Sequence, residues 1–216
     1  MKGGRIQLLD ALRGLSILLV IAYHAGYNLA AGGYMPAEVL YNPLLNVLQP
    51  LFAGVFILLA GISGRFSRSN LRRGAVTAGC AALVSAAAWL MGTPIWFGIL
   101  HLLAVCMLLY WLAQKINAAL PLTLAAAFLL TLFSVTRWPV LESADYFPIV
   151  PWGFLFMLGT WLGGPIKDGK LPRWFYNAKV PLFPVIGRYT LIIYMLHQPA
   201  LHIIMLILPL PAATGG

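Results

Sequence analysis

The chain of 216 residues is 61% hydrophobic and only 9% charged, with a mean hydropathy of +0.88, against roughly a quarter charged in an ordinary soluble domain. Such a composition excludes a soluble globular protein and indicates an all-α, polytopic integral membrane protein. Its length allows seven or eight spans of about 20 residues in a single transmembrane domain, 1–216, with no room for a separate soluble domain. The net charge of +9 does not point to nucleic acid, because the cations sit in short segments between apolar runs.

The first expected span, Ile6 to Asn28, carries Asp10, Arg13 and His24. An ionisable group at membrane depth costs several kcal/mol unless it faces protein or a wet cavity. At about 100° per residue, His24 returns to within roughly 20° of Arg13, and Asp10 lies about 60° to the other side. The three share one stripe, with Tyr27 and Asn28 close to it, while Leu15, Leu18, Leu19, Ile21 and Ala22 form an apolar back for lipid. Read as structure alone, Asp10 and Arg13 pair near the helix start and His24 is a hydrogen-bonded interior residue. A cleaved signal peptide is the other bland reading; Asp10 in its start region and His24 after its core argue against it.

The run from Ala30 to Pro43 has glycines and prolines but no Lys or Arg and should be an outer loop. A second span follows from Leu44 to Ser63, where Gly54 and Gly61 allow close helix contact and Gln49 is either structural or cavity-lining. Gly64 to Gly74 holds Arg65, Arg68, Arg72 and Arg73, which marks a cytoplasmic loop. A third span, Ala75 to Met91, returns outward to a turn at Gly92 to Pro94. A fourth, Ile95 to Leu112, contains His101 and ends inside, before Lys115. A fifth, Leu120 to Val135, leads to a long outer loop with Glu142 and Asp145. A sixth, Trp152 to Pro165, leads to an inner connection with Lys167, Lys170, Arg173 and Lys179. The last, Pro184 to Leu208, includes Arg188, His197 and His202. This gives seven transmembrane helices, N-terminus cytoplasmic and C-terminus outside, with thirteen of fourteen basic residues on the inner side. Cys80 and Cys106 read as apolar packing residues.

At about 1.5 Å per residue, His24, His101 and His197 reach a similar level in the outer half, beneath the loop bearing Asp145. A zinc site of these imidazoles lacks any paired ligand motif, so no metal is expected. His197 precedes Gln198 and Pro199, and that proline frees a backbone carbonyl in the preceding turn. Arg13 and Arg188, inside spans, suit a phosphate or carboxylate partner.

The segment LDALRGLSILLVIAYH resembles the first-helix signature of the membrane acyltransferase-3 superfamily. FGILHLLAVCMLL, ADYFPIVPWGFLFMLG and YTLIIYMLHQP resemble bacterial membrane proteins grouped with the catalytic domain of heparan-α-glucosaminide N-acetyltransferase. The likeness spans nearly the whole chain. It implies transfer of an acyl group, usually acetyl, from acetyl-CoA or another acyl-CoA to a hydroxyl or amine of a sugar-like, small or lipid-linked acceptor. It also implies a multi-pass place in the bacterial inner (cytoplasmic) membrane, with lipid as neighbour. Arg13 and His24 match the Arg and His used in catalysis by acyltransferase-3 proteins. In the heparan enzyme the position of His24 is Asn, a departure that leaves the base open.

Transfer from a thioester requires a base for the attacking group, a task suited to a neutral imidazole near pH 7, and a donor for the oxyanion. The expected catalytic residues are therefore His24, Arg13, Asp10 and His197. Donor phosphates would meet Arg65, Arg68, Arg72, Arg73, Arg13 and Arg188, with the pantetheine arm threading towards His24. The acceptor would meet His101, Asp145, Trp152, Gln198 and Asn28. A transporter or flippase with a buried polar pathway is the alternative, although seven unlike spans lack the paired repeats common in transporters. A non-catalytic scaffold would need no polar seam. Gly- and Ala-rich helix faces also suit a homo-oligomer.

Overall fold

A computed structural model describes residues 5–36, 38–39, 42–115 and 145–209. Over these residues the chain is helical, with no β-strand. The helices are α1 (Gln7–Ala31), α2 (Pro43–Phe66), α3 (Asn70–Leu90), α4 (Ile99–Lys115), α5 (Ile149–Lys167), α6 (Arg173–Asn177), α7 (Phe183–Arg188) and α8 (Thr190–Ile207). Among the described residues five helices, α1, α2, α3, α5 and α8, are long and apolar enough to cross a membrane. Helix α4 is apolar but has 17 residues. The protein is thus a multi-pass membrane protein. The expected fifth span at 120–135, and Arg137 and Glu142 after it, lie outside the described residues.

The chain divides into two compact units, one of Met1–Phe56 with Arg173–Gly216 and one of Ile57–Pro172. In the first, α1 packs on α7 and α8. A Cβ on Gly14 would overlap the carbonyl oxygen of Phe183, and one on Gly187 would overlap that of Asp10. Two missing side chains let the backbones of α1 and α7 touch, the small-residue packing expected where helices cannot rely on hydrophobic contrast. Further along, Met205 packs against Gly32 and the Tyr34 hydroxyl donates to the Leu208 carbonyl at 3.5 Å. Helices α1 and α8 therefore run parallel, whereas the pairing of Gly14 with Phe183 and of Asp10 with Gly187 gives the short α7 the opposite course.

The expected last span is divided. Pro184 lies in the first turn of α7, the helix ends at Arg188, and α8 starts at Thr190. The Thr190 hydroxyl donates to the Gly187 carbonyl at 2.6 Å. The backbone contact at Gly187 fixes α7 on α1, and the chain restarts as α8 after Tyr189. Arg188 consequently stands exposed at the end of a six-residue helix, outside the long span in which the sequence placed it.

In the second unit α3 and α4 are antiparallel. Asn70 Nδ2 donates to Gln114 Oε1 at 3.0 Å, Thr77 meets Met107 at 3.9 Å, and Ser85 meets His101 at 3.3 Å. Helix α5 crosses the end of α2 at Gly61 and Gly159, where an added Cβ would overlap the carbonyls of Phe156 and Leu58. Gly61 thus meets the expectation of close helix contact. Ile57, Leu102, Cys106, Tyr110 and Phe156 are all under 2% exposed and form the core of this unit. Of the segment expected as a cytoplasmic loop, Gly64 to Gly74, most is helical: α2 runs to Phe66 and α3 starts at Asn70. The Ser69 side chain accepts from the Arg72 amide at 3.2 Å, an N-cap that lets the helix begin early and draws Arg72 and Arg73 into its first turn.

Candidate functional site

Helix α1 presents the expected seam. Asp10 is 8% exposed, whereas Leu12, Leu15 and Leu18 on other faces are between 37% and 42% exposed. The Asp10 carboxylate accepts from Arg13 Nη1 at 2.7 Å, one helical turn apart. Breaking such a buried pair by removing one partner leaves an uncompensated charge. This pair lies about 16 Å along the helix from His24 at ordinary rise, so it does not share a reacting centre with that imidazole. Tyr27 departs from the expected seam, being 49% exposed.

At the other end of α1 the ring of His24 lies 5.2 Å from that of His197 on α8. Phenol rings flank both: Tyr23 is 5.8 Å from His24 and Tyr194 is 5.1 Å from His197. His197 is 6% exposed. Its Nδ1 bonds to the Tyr194 carbonyl, which can only accept, so Nδ1 carries the proton and neutral His197 keeps a lone pair on Nε2. That Nε2 is buried and has no hydrogen-bond partner among the described residues. A buried acceptor left unpaired is destabilising by about 1–3 kcal/mol and calls for an explanation in function. One position further, Asn28 Nδ2 donates to Gln198 Oε1 at 3.4 Å. The parallel register of α1 and α8 thus stacks an imidazole pair upon a carboxamide pair. Pro199, which has no N–H, frees a carbonyl in the same turn.

The second unit holds the remaining candidates at its two ends. At the end formed by the α2–α3 connection and the C-termini of α4 and α5, Arg65 Nη1 donates to the Tyr110 hydroxyl at 3.3 Å. Lys167 Nζ donates to the Arg65 carbonyl at 3.2 Å. Arg68 and Arg72 are exposed and Arg73 is half-buried. These cations gather at one end of the unit, opposite the turn at Gly92.

At that opposite end, residues 95–99 meet 145–147 through an isolated parallel bridge between Phe97 and Tyr146. Asp145 Oδ2 accepts from the Ile99 amide at 3.2 Å, so a residue distant in sequence caps the start of α4. His101 Nδ1 accepts from the Gly98 amide at 3.2 Å, which leaves the ring proton on Nε2 to face Ser85 Oγ at 3.3 Å. Ser85 Oγ in turn donates to the Ile95 carbonyl at 2.8 Å. The Trp152 ring lies 5.0 Å from that of Phe147, tilted by 60°. Both ring nitrogens of His101 and the carboxylate of Asp145 are therefore engaged, whereas His197 keeps Nε2 open.

Sequence reasoning missed Tyr23, Tyr194 and Ser85. Tyr23 precedes His24, and Tyr194 is one turn before His197, a spacing at which a backbone carbonyl can fix an imidazole tautomer.

A family model described as the catalytic domain of heparan-alpha-glucosaminide N-acetyltransferase matches residues 5–199. No curated protein and no solved structure matches the chain. The matched region takes in α1 with its Asp10–Arg13 pair, the helices of the second unit and the His197–Gln198 turn of α8. The chain belongs to the family of the heparan-alpha-glucosaminide N-acetyltransferase catalytic domain.

Proposed function

We propose that the protein is an acyl-CoA-dependent acetyltransferase of a bacterial inner membrane, acting on an amine or hydroxyl of a sugar-like or other small acceptor near the outer face. Family membership supports acetyl transfer. The observation that carries the chemistry is the pairing of His24 with His197, whose Nε2 is buried and unpartnered. His24 takes the proton of the attacking group as it adds to the thioester carbonyl. The new bond forms between the acceptor heteroatom and the acyl carbon, the C–S bond breaks, and the departing thiolate recovers the proton. His197, with Nδ1 committed to the Tyr194 carbonyl, offers Nε2 as a second acceptor beside His24 and shares the transferred proton.

Asn28 and Gln198 supply amide N–H groups where the oxyanion or the acceptor's polar groups lie. Asp10 and Arg13 act as a positioning pair on the same helix. The donor is cytosolic and its phosphates bind on the basic side, which the positive-inside rule makes the inner face. No metal takes part.

Purified protein in detergent, given acetyl-CoA and a panel of amino sugars and simple amines, should release free thiol and acetylated product that mass spectrometry identifies. Absence of both across the panel, from protein shown to be folded, would refute the assignment. Detergent removes the two compartments that a transporter needs, so thiol release separates the two readings.

A further inference from the structure

Between the α2–α3 connection and the last turn of α4 lies a half-open cleft of about 380 Å³, lined by Ser67, Arg68, Ser69, Asn70, Trp111, Gln114 and Lys115. The volume falls in the range of about 300–1,000 Å³ typical of small-molecule sites. Its chemistry is uniform. Two cations and two hydroxyls surround the rim, and the Trp111 indole supplies the flat surface. Trp111, Gln114 and Lys115 are spaced at i, i+3 and i+4 and so occupy one face of α4.

The floor is built, not incidental. Asn70 is 3% exposed, and its Nδ2 holds both the Gly64 carbonyl and Gln114 Oε1 at 3.0 Å. This ties the α2–α3 connection to the end of α4. Its Oδ1 is buried without a partner among the described residues. Of the four arginines near this end, Arg68 is the one lining the cleft; Arg65 is turned to Tyr110.

We infer that this cleft holds the 3′-phosphorylated adenosine diphosphate end of the acyl donor, with Trp111 against the purine and Arg68 and Lys115 on its phosphates. The inference rests on the acyltransferase reading. Aromatic rings stack on bases irrespective of sequence, and guanidinium and ammonium groups bind phosphate, the former in a fork and the latter as a point charge. An anionic lipid headgroup would share the phosphate chemistry but has no flat ring for the indole.

Two measurements on the full-length purified chain test it. The first is binding of adenosine 3′,5′-bisphosphate by calorimetry, which needs no turnover. The parent should bind, and both Trp111→Leu and the double variant Arg68→Gln with Lys115→Gln should weaken binding at least tenfold, with Trp111→Phe recovering most of it. The second compares acetyl-CoA with S-acetylpantetheine, which lacks the nucleotide. The variants should raise KM for acetyl-CoA about tenfold with kcat within twofold of the parent, and should match the parent on S-acetylpantetheine.

Parent affinity and KM retained in the variants would overturn the inference. So would equal losses on both donors, the mark of a structural role, or an effect confined to retention on phosphatidylglycerol vesicles, the mark of a lipid headgroup. Binding of the bisphosphate without any acetyl transfer would sink the activity reading and leave the cleft assignment standing; transfer without bisphosphate binding would do the reverse.

Discussion

The two units treat histidine in opposite ways. In the second, both ring nitrogens of His101 are engaged, one by the Gly98 amide and one by Ser85, and the nearby Asp145 caps α4 at the Ile99 amide. In the first, His197 spends one nitrogen on the Tyr194 carbonyl and keeps the other buried and open, beside His24. A polar group in a membrane helix whose bonds close on backbone is explained by structure; one left open next to another is explained by chemistry. Similar residue types at similar expected depth thus divide into scaffold and centre.

Mutations sharpen this contrast. The largest effect expected is on turnover: His24→Ala should lower kcat for acetyl transfer by roughly 10²–10⁴-fold, the usual worth of a general base, with the thermal midpoint of unfolding unchanged. His101→Ala should do the converse, lowering the midpoint by several degrees while the folded fraction keeps most of its activity, because it leaves the Gly98 amide unpaired. If both variants lost activity without losing stability, the division would fail.

Next in size is helix contact. Gly187→Ala places a methyl group on the Asp10 carbonyl and should destabilise by about 1–3 kcal/mol or more, as overpacking does. Gly79→Ala in α3 meets nothing within 4 Å and should be neutral or stabilising by up to about 1 kcal/mol through helix propensity. Unfolding in a mild detergent series compares them directly. Smaller still is the cap: Asp145→Ala should cost about 1 kcal/mol in stability, as loss of an N-cap does, and Asp145→Asn less, since its amide oxygen can still accept.

Much of this was legible in the sequence. Hydropathy located the long helices among the described residues, because about 20 apolar residues in a row suit a membrane span. Helical angle alone put Asp10, Arg13, His24 and Asn28 on one seam, although Tyr27, expected close to it, is exposed; the distribution of cations gave the first and last spans one direction, which α1 and α8 share and the short α7 does not. What sequence did not show was where backbone would meet backbone. Gly14 and Gly187 look like any other glycines until α7 lies on α1, and the break at Tyr189 follows from that contact, not from a run of helix breakers. Nor did it show that Asp145, far from Ile99 in the chain, would cap α4, since a cap supplied from another segment has no local spacing. The family resemblance was readable from four short motifs, and the matched region of 5–199 covers all of them.

The account rests on His24 and His197 acting together, and a double-mutant cycle on acetyl transfer measures that most directly. Groups acting as a unit are strongly non-additive. We predict that His24→Ala and His197→Ala each lower kcat/KM by at least 10²-fold and that the double variant is no worse than the poorer single one. Losses that multiply, or a His24→Ala enzyme within twofold of the parent, would contradict it.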